Sequence, residues 1–119
     1  MGQFLADVNA RDGAAVARFF DASGFLWEVN QHMNPPNGTA GGLRTVADIA
    51  AFMTELEARG DRWTNGSLAS PAGTANLPEQ TGYGLHFTIA DAGKKRLGGA
   101  KVVMTCSTGL ITHMAGPNG

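Results

Sequence analysis

The chain has 119 residues, of which 43% are hydrophobic and 16% charged, so it suits one folded domain over residues 1–119 and is too apolar for a disordered segment. Its formal net charge of −1 leaves no basic excess for binding nucleic acid. A single cysteine excludes an internal disulfide, and the amino end lacks both a signal-peptide pattern and a membrane anchor, so we expect a cytoplasmic protein with no membrane partner.

The first third of the chain predicts two short helices and then a strand. Apolar residues recur at helical spacing within residues 3–20. Asp12 lies between the two sets, where its carboxylate can accept a hydrogen bond from a free backbone N–H of the second helix. Residues 25–30 are rich in aromatic and β-branched side chains and predict a strand. A loop with two prolines follows over residues 31–42.

The next helix is specified at both ends. Thr45 and Asp48 have the spacing of a capping box, and Gly60 is a typical C-terminal stop, so the sequence predicts a helix over 45–59. Between these ends, apolar residues at i, i+3, i+4 and i+7 form one stripe that we expect to face the core. These residues are Ile49, Phe52, Met53 and Leu56.

The second half of the chain predicts only strands, separated by turn signals. The strands are expected at 63–70, 82–90, 100–106 and 110–115, with turns at 71–73, 91–93, 98–99 and 107–109. The basic run 94–96 then falls in a hairpin loop, and the small, polar segment 72–81 is expected to be mobile. Strands joined by short turns pair antiparallel. This order of elements predicts an α+β fold, in which a curved, mostly antiparallel sheet wraps around helices.

The spacing of common residue types along nearly the whole chain resembles the SnoaL-like branch of the nuclear transport factor 2-like (NTF2-like) superfamily. The resemblance implies a cone-shaped α+β barrel, a homodimer and an apolar cavity between the helices and the concave sheet. That fold hosts enzymes and binding domains alike, so function must be argued from the site. The matching segments are Asn9-Ala-Arg-Asp12 with Val16, Phe19 and Phe20, then Trp27-Glu28, Gly42-Leu-Arg-Thr-Val46 with Ile49 and Phe52, and Gly109-Leu-Ile-Thr-His-Met114.

The catalytic set of ketosteroid isomerases is missing from this sequence. The resemblance aligns the tyrosine, the aspartate base and the protonated aspartic acid of those enzymes with Phe4, Val29 and about Val102. None of these side chains is polar. The catalytic aspartate of SnoaL-type cyclases has no identifiable counterpart either.

The relay of limonene-type epoxide hydrolases is incomplete as well. Its first-strand pair aligns near Glu28 and Asn30. Its arginine and one aspartate align around His86 and Thr88, and its last aspartate aligns near Ala115, where no acid is present.

Glu28 and His86 are the candidate catalytic residues, and the face on which each lies decides its role. An imidazole exchanges protons near neutral pH, and a carboxylate in a dry pocket can act as an acid or base. On the outer face of the sheet, both would be ordinary solvated strand residues. The three histidines are scattered along the chain, so we expect no metal site and no cofactor.

Three functions remain open at this point. The first is binding of an apolar or aromatic small molecule, the second is cofactor-independent proton transfer through Glu28 or His86, and the third is an interaction or dimerisation domain without a pocket. We expect a homodimer through the outer face of the sheet, because apolar residues occupy both faces of residues 100–106. The expected cavity is bounded by Trp27, Phe52, Met53, Trp63, Phe87 and Met104, with Glu28, Asn30 and His86 as its polar members. Strand alternation does not allow every one of these neighbours to face inward.

Overall fold

A computed structural model describes residues 2–29, 42–69, 80–91 and 94–118 of the chain. The fold is α+β, with a curved open sheet of five strands and few helices, as predicted. The elements in order are α1 (Gly2–Asn9), α2 (Gly13–Ala17), β1 (Leu26–Glu28), α3 (Val46–Arg59), β2 (Arg62–Ala69), β3 (Gln80–Asp91), β4 (Lys94–Thr105) and β5 (Ile111–Asn118).

The strand order in the sheet is β1-β5-β4-β3-β2. The four strands after α3 pair antiparallel with their neighbours in sequence, as expected for short connections. β1 instead pairs parallel with β5, and Trp27 lies opposite Met114. This topology makes β1 and β2 the two edges of the sheet.

The ends of α3 are formed by the predicted residues. The Thr45 hydroxyl accepts a hydrogen bond from the Asp48 backbone N–H at 3.1 Å, and the Asp48 carboxylate accepts from the Thr45 N–H at 3.1 Å. Gly60 ends the helix in the left-handed conformation, with φ of 71°. The Arg44 backbone N–H also donates to Asp48 at 2.9 Å, and this bond is the main reason why the pKa of Asp48 lies below its usual value.

The helices cover the inner face of the sheet. The predicted stripe of α3 is buried, which confirms its assignment to the core. α1 packs against β2 and α2 packs against α3. Successive side chains of a strand point to opposite faces of the sheet. β3 therefore buries Leu85, Phe87 and Ile89 on the inner face and exposes His86 on the outer face.

The predicted turn at residues 98–99 and the predicted loop at 94–96 are wrong. β4 already begins at Lys94, which lies opposite Asp91, and Gly98 and Gly99 lie opposite Phe87 and His86 inside the strand. Gly98 serves close packing rather than a turn, because a Cβ there would lie 2.8 Å from the Ile89 side chain. The pairing of β3 with β4 therefore extends as far as Asp91 and Lys94.

Other strand boundaries differ by a few residues from those predicted. β1 covers three residues rather than residues 25–30, and β5 continues to Asn118. Two predictions, the loop over 31–42 and the mobile segment 72–81, lie largely outside the described residues. Within the described part of the chain, no helix is long and apolar enough to span a membrane.

Candidate functional site

A continuous aromatic cluster fills the space between the helices and the sheet. Ring centroids of successive members lie between 4.9 and 6.4 Å apart, which is the range in which aromatic rings attract one another. The cluster includes six phenylalanines and both tryptophans of the chain. Its members are Phe4, Phe19, Phe20, Phe25, Trp27, Phe52, Trp63 and Phe87.

Trp27 is held in place by its backbone and by its indole N–H. Its backbone pairs with Leu43 through two hydrogen bonds of 2.8 and 2.9 Å. Its Nε1–H donates to the Gly116 carbonyl at 2.6 Å. The polar atom of this buried ring is therefore satisfied within the chain.

Trp63 is positioned by Asn9, the last residue of α1. The Asn9 amide donates to the Trp63 carbonyl at 2.7 Å, and its oxygen accepts from the Trp63 backbone N–H at 2.8 Å. The side-chain amide thus pairs with the free edge of β2 as another strand would. The ring contacts Phe52 and Phe87, at centroid distances of 6.3 and 5.0 Å.

The indole N–H of Trp63 differs from that of Trp27. The side chain is completely buried, yet its Nε1 finds no hydrogen-bond partner in the described structure. A buried donor without a partner costs about 1–3 kcal/mol relative to a satisfied one. Such atoms are uncommon in folded proteins and call for an explanation, of which a ligand is one.

Asp61 lies two residues before Trp63 and is also completely buried. Its backbone N–H donates to the Leu56 carbonyl at 3.1 Å, which completes the C-terminal cap of α3. One carboxylate oxygen lies 3.4 Å from Arg59 Nε, and the other has no hydrogen-bond partner among the described residues. The Asp61 backbone carbonyl accepts a short hydrogen bond from Arg11 Nη2.

Arg11 lies in the turn between α1 and α2 and connects this turn to the end of α3. Its guanidinium donates to the carbonyls of Val8 and Leu56, both at 3.1 Å, and to the Glu57 carboxylate at 3.1 Å. The residue has a φ of 59°, which is uncommon for a side chain other than glycine. These contacts fix the corner next to Asp61.

A groove of about 480 Å³ lies between α2 and α3, beside this corner. We refer to it as the α2–α3 groove. It is mainly apolar, and its volume falls in the range of about 300–1,000 Å³ that is typical of small-molecule pockets. It is lined by Arg11, Gly13, Ala50, Met53, Thr54, Glu57 and Ala58.

The structure brings together four of the aromatic residues named from the sequence, namely Trp27, Phe52, Trp63 and Phe87. Met53 is 2% exposed and lines the α2–α3 groove from the core side. Met104, near the end of β4, is half-buried and packs against the core, and it also lines a second pocket with Tyr83 and Cys106. Asn30 lies outside the described residues.

The two polar candidates, Glu28 and His86, lie away from the aromatic cluster. Glu28 follows the buried Trp27 on β1 and is exposed, with its carboxylate 3.1 Å from Nε2 of the half-exposed His113. His86 is exposed between the buried residues Leu85 and Phe87. Alternation therefore directs both side chains to the outer face of the sheet.

Asp61 was not singled out by sequence reasoning, although two signals mark it. The residue after a glycine C-cap commonly makes an apolar contact with the preceding helix, so an aspartate there is unusual. In addition, Asp61 and Trp63 flank Arg62, so a strand that buries Trp63 also turns Asp61 inward. No three potential metal-ligating side chains cluster together within the residues that the structure describes.

Comparison with known proteins shows the fold. No protein-family profile and no curated protein matches the sequence. Among solved structures, a protein of unknown function with a cystatin-like fold from Methylobium petroleophilum is 23% identical, with a TM-score of 0.66, and the match covers 98% of this chain and 74% of that one. An NTF2-like protein of unknown function from Burkholderia pseudomallei is 15% identical, with a TM-score of 0.58 and coverage of 95% and 82%.

A computationally designed 17-OHP binder has the same fold. It is 16% identical to this chain, with a TM-score of 0.60, over 98% of this chain and 86% of that one. Other matches are named putative polyketide cyclase and putative isomerase. The resemblance to NTF2-like and SnoaL-like proteins is thus confirmed for the fold, and at these identities it extends no further.

Proposed function

From an NTF2-like fold with an aromatic interior, we propose that this chain is a small-molecule-binding domain that accepts an apolar or aromatic ligand beside Trp63. The observation that carries the proposal is the buried Trp63 N–H without a partner in the described structure. A ligand with a carbonyl or ether oxygen would satisfy this donor, while flat apolar groups would contact the surrounding rings.

The contrast between the two tryptophans supports this choice. Both rings are fully buried and lie 6.4 Å apart, but only the Trp27 N–H has an acceptor in the described chain. If the cluster served packing alone, phenylalanine at position 63 would fill most of the same space without leaving a buried donor. The indole of Trp63 is therefore the group most suited to recognise a ligand.

Met53 supplies the route to this position. Its side chain belongs both to the core and to the lining of the α2–α3 groove, next to Phe52 in α3. Methionine changes rotamer easily because it is unbranched. We propose that a shift of the Met53 side chain connects the groove with the rings of Phe52 and Trp63.

Glu28 and His86 do not enter this proposal. A proton-transfer step at either group would take place on the outer face, in contact with water, where a desolvated environment is lacking. Two fold neighbours are named putative isomerase and putative polyketide cyclase, and these names describe those proteins alone.

The proposal includes a homodimer through the outer face of the sheet. Leu97 on this face is 85% exposed and lies opposite Thr88, and small residues such as Gly84 and Gly99 occupy neighbouring positions. An exposed leucine with small residues nearby can contact a second copy of the chain. Light scattering at micromolar concentration should give the mass of a dimer, and Leu97→Lys should shift it to a monomer. A monomeric parent protein would contradict the proposed homodimer.

The binding proposal is tested with two planar probes of similar size. Acetophenone has a carbonyl acceptor, whereas α-methylstyrene has a C=CH₂ group in place of the C=O. We expect the parent protein to bind acetophenone about five- to tenfold more tightly, as one buried hydrogen bond allows. Trp63→Phe should abolish this preference, and the matched variant Trp27→Phe should retain it. Equal binding of the two probes by the parent protein, or a preference that survives in Trp63→Phe, would refute the assignment of Trp63.

A further inference from the structure

Asp61 is the one fully buried charged side chain among the described residues. It lies there because it directly follows Gly60, so the cap of α3 and the start of β2 fix its backbone on both sides. Residue 62 is exposed and residue 63 is buried, which places the Asp61 and Trp63 side chains on the same side of the chain. In extended backbone, positions two residues apart lie roughly 7 Å from each other.

The carboxylate has acceptor capacity that the described chain does not use. An ionised carboxylate can accept about four hydrogen bonds. Here one oxygen has a long contact of 3.4 Å with Arg59, and the other has no partner in the described structure. Leaving a buried carboxylate oxygen unsatisfied is costly, so its retention two residues before a tryptophan with an unsatisfied indole donor requires a reason.

The charges around Asp61 favour a neutral ligand over a cationic one. Arg59 and Arg11 contact Asp61 through its carboxylate and its backbone carbonyl, and Glu57 pairs with Arg11 at 3.1 Å. Among the described residues, the charges of these two carboxylates and two guanidinium groups cancel. An ammonium group would add an uncompensated positive charge beside the two arginines, whereas a hydroxyl or a neutral N–H would not.

We propose that Asp61 is a second polar anchor of the site, and that the ligand class is a neutral, apolar molecule carrying both a hydrogen-bond acceptor and a hydroxyl or N–H donor. The acceptor faces Trp63 and the donor faces the free oxygen of Asp61. The inference rests on the binding function proposed above, and it specifies a donor that Trp63 alone would not require.

The test compares three small probes by calorimetry or ligand-observed NMR. Acetophenone carries only the acceptor, and para-hydroxyacetophenone adds a hydroxyl on the opposite side of the ring. Ortho-hydroxyacetophenone has the same composition, but its hydroxyl is bonded to its own carbonyl. We expect the parent protein to bind the para isomer about five- to tenfold more tightly than acetophenone. The ortho isomer should bind no more tightly than acetophenone.

The variants identify the residue that recognises the hydroxyl. Asp61→Leu should bring the preference for the para isomer to about one, and Asp48→Asn, a change in an aspartate at the far end of α3, should leave it intact. If Asp61→Leu fails to fold, Asp61→Asn keeps the shape and one oxygen but removes the charge, and it should lower the preference at least twofold. A preference that is unchanged in every folded Asp61 variant would overturn the inference.

The outcomes separate this inference from the function on which it rests. If the parent protein binds acetophenone in a Trp63-dependent manner but shows no preference for the para isomer, the role of Asp61 is wrong and the binding function stands. If the parent protein binds none of the probes, the binding function itself fails, and the inference about Asp61 fails with it.

Discussion

Replacing Asn9 by alanine should destabilise the protein strongly, although Asn9 is only half-buried. The change removes two hydrogen bonds, of 2.7 and 2.8 Å, and leaves the N–H and C=O of Trp63 without partners at the edge of β2. Each such group costs about 1–3 kcal/mol when it is buried, and less when water reaches it. We therefore expect a loss of about 2–4 kcal/mol, a large part of the total of about 5–15 kcal/mol for an ordinary domain.

The assay is urea unfolding followed by tryptophan fluorescence, in which the midpoint should fall with little change in slope. Asn9→Asp keeps the acceptor for the Trp63 N–H but loses the donor to its carbonyl, so it should lie between the parent and Asn9→Ala at neutral pH. Gln3→Ala is the control, because it removes an exposed 2.8 Å bond to Asp7 and should change stability by no more than about 0.5 kcal/mol. If Asn9→Ala behaves like Gln3→Ala, the reasoning about the edge of β2 is wrong.

Two further predictions concern the ends of α3. Gly60→Ala places a Cβ in the left-handed region without a steric contact, so it should cost about 1 kcal/mol in a denaturant titration, and an unchanged midpoint would contradict the strain argument. Asp48 has a lowered pKa in the folded protein, mainly through the Arg44 N–H, so its stabilisation is present above the ordinary pKa and is lost as the pH falls through the lowered value. Asp48→Asn should therefore be less stable than the parent at neutral pH, and its stability should fall less steeply below about pH 4. Parallel profiles of stability against pH for the two proteins would exclude this role. Asp21, whose pKa is also lowered, should cause part of the loss of stability at low pH in both proteins.

The sequence predicted the fold where local and tertiary preferences agree. The stripe of α3, its capping box and Gly60 all favour the same helix, and that helix covers the concave side of the sheet as expected. The misplaced turn at Gly98 has a different cause. A glycine indicates either a turn or a close approach, and only the position of the Ile89 side chain distinguishes the two.

The candidate site was predictable only in its apolar part. Large aromatic side chains are expected in the core, and four of the six apolar residues named from the sequence contact one another. The polar part depends on which strand residues face inward. The sequence did not determine the face of the sheet on which Glu28 and His86 lie. The unsatisfied atoms of Asp61 and Trp63 could not be found from sequence, because a missing partner is a property of the packed structure.

The most direct test of the account is a ¹⁵N NMR titration of the tryptophan side chains. The chain has only two indole N–H groups, and the variants Trp27→Phe and Trp63→Phe assign them. On addition of acetophenone, we expect the Trp63 indole resonance to shift to lower field as its N–H gains an acceptor, while that of Trp27, already bonded to Gly116, moves little. If acetophenone binds and leaves the Trp63 resonance unmoved, the central claim that Trp63 recognises the ligand is contradicted.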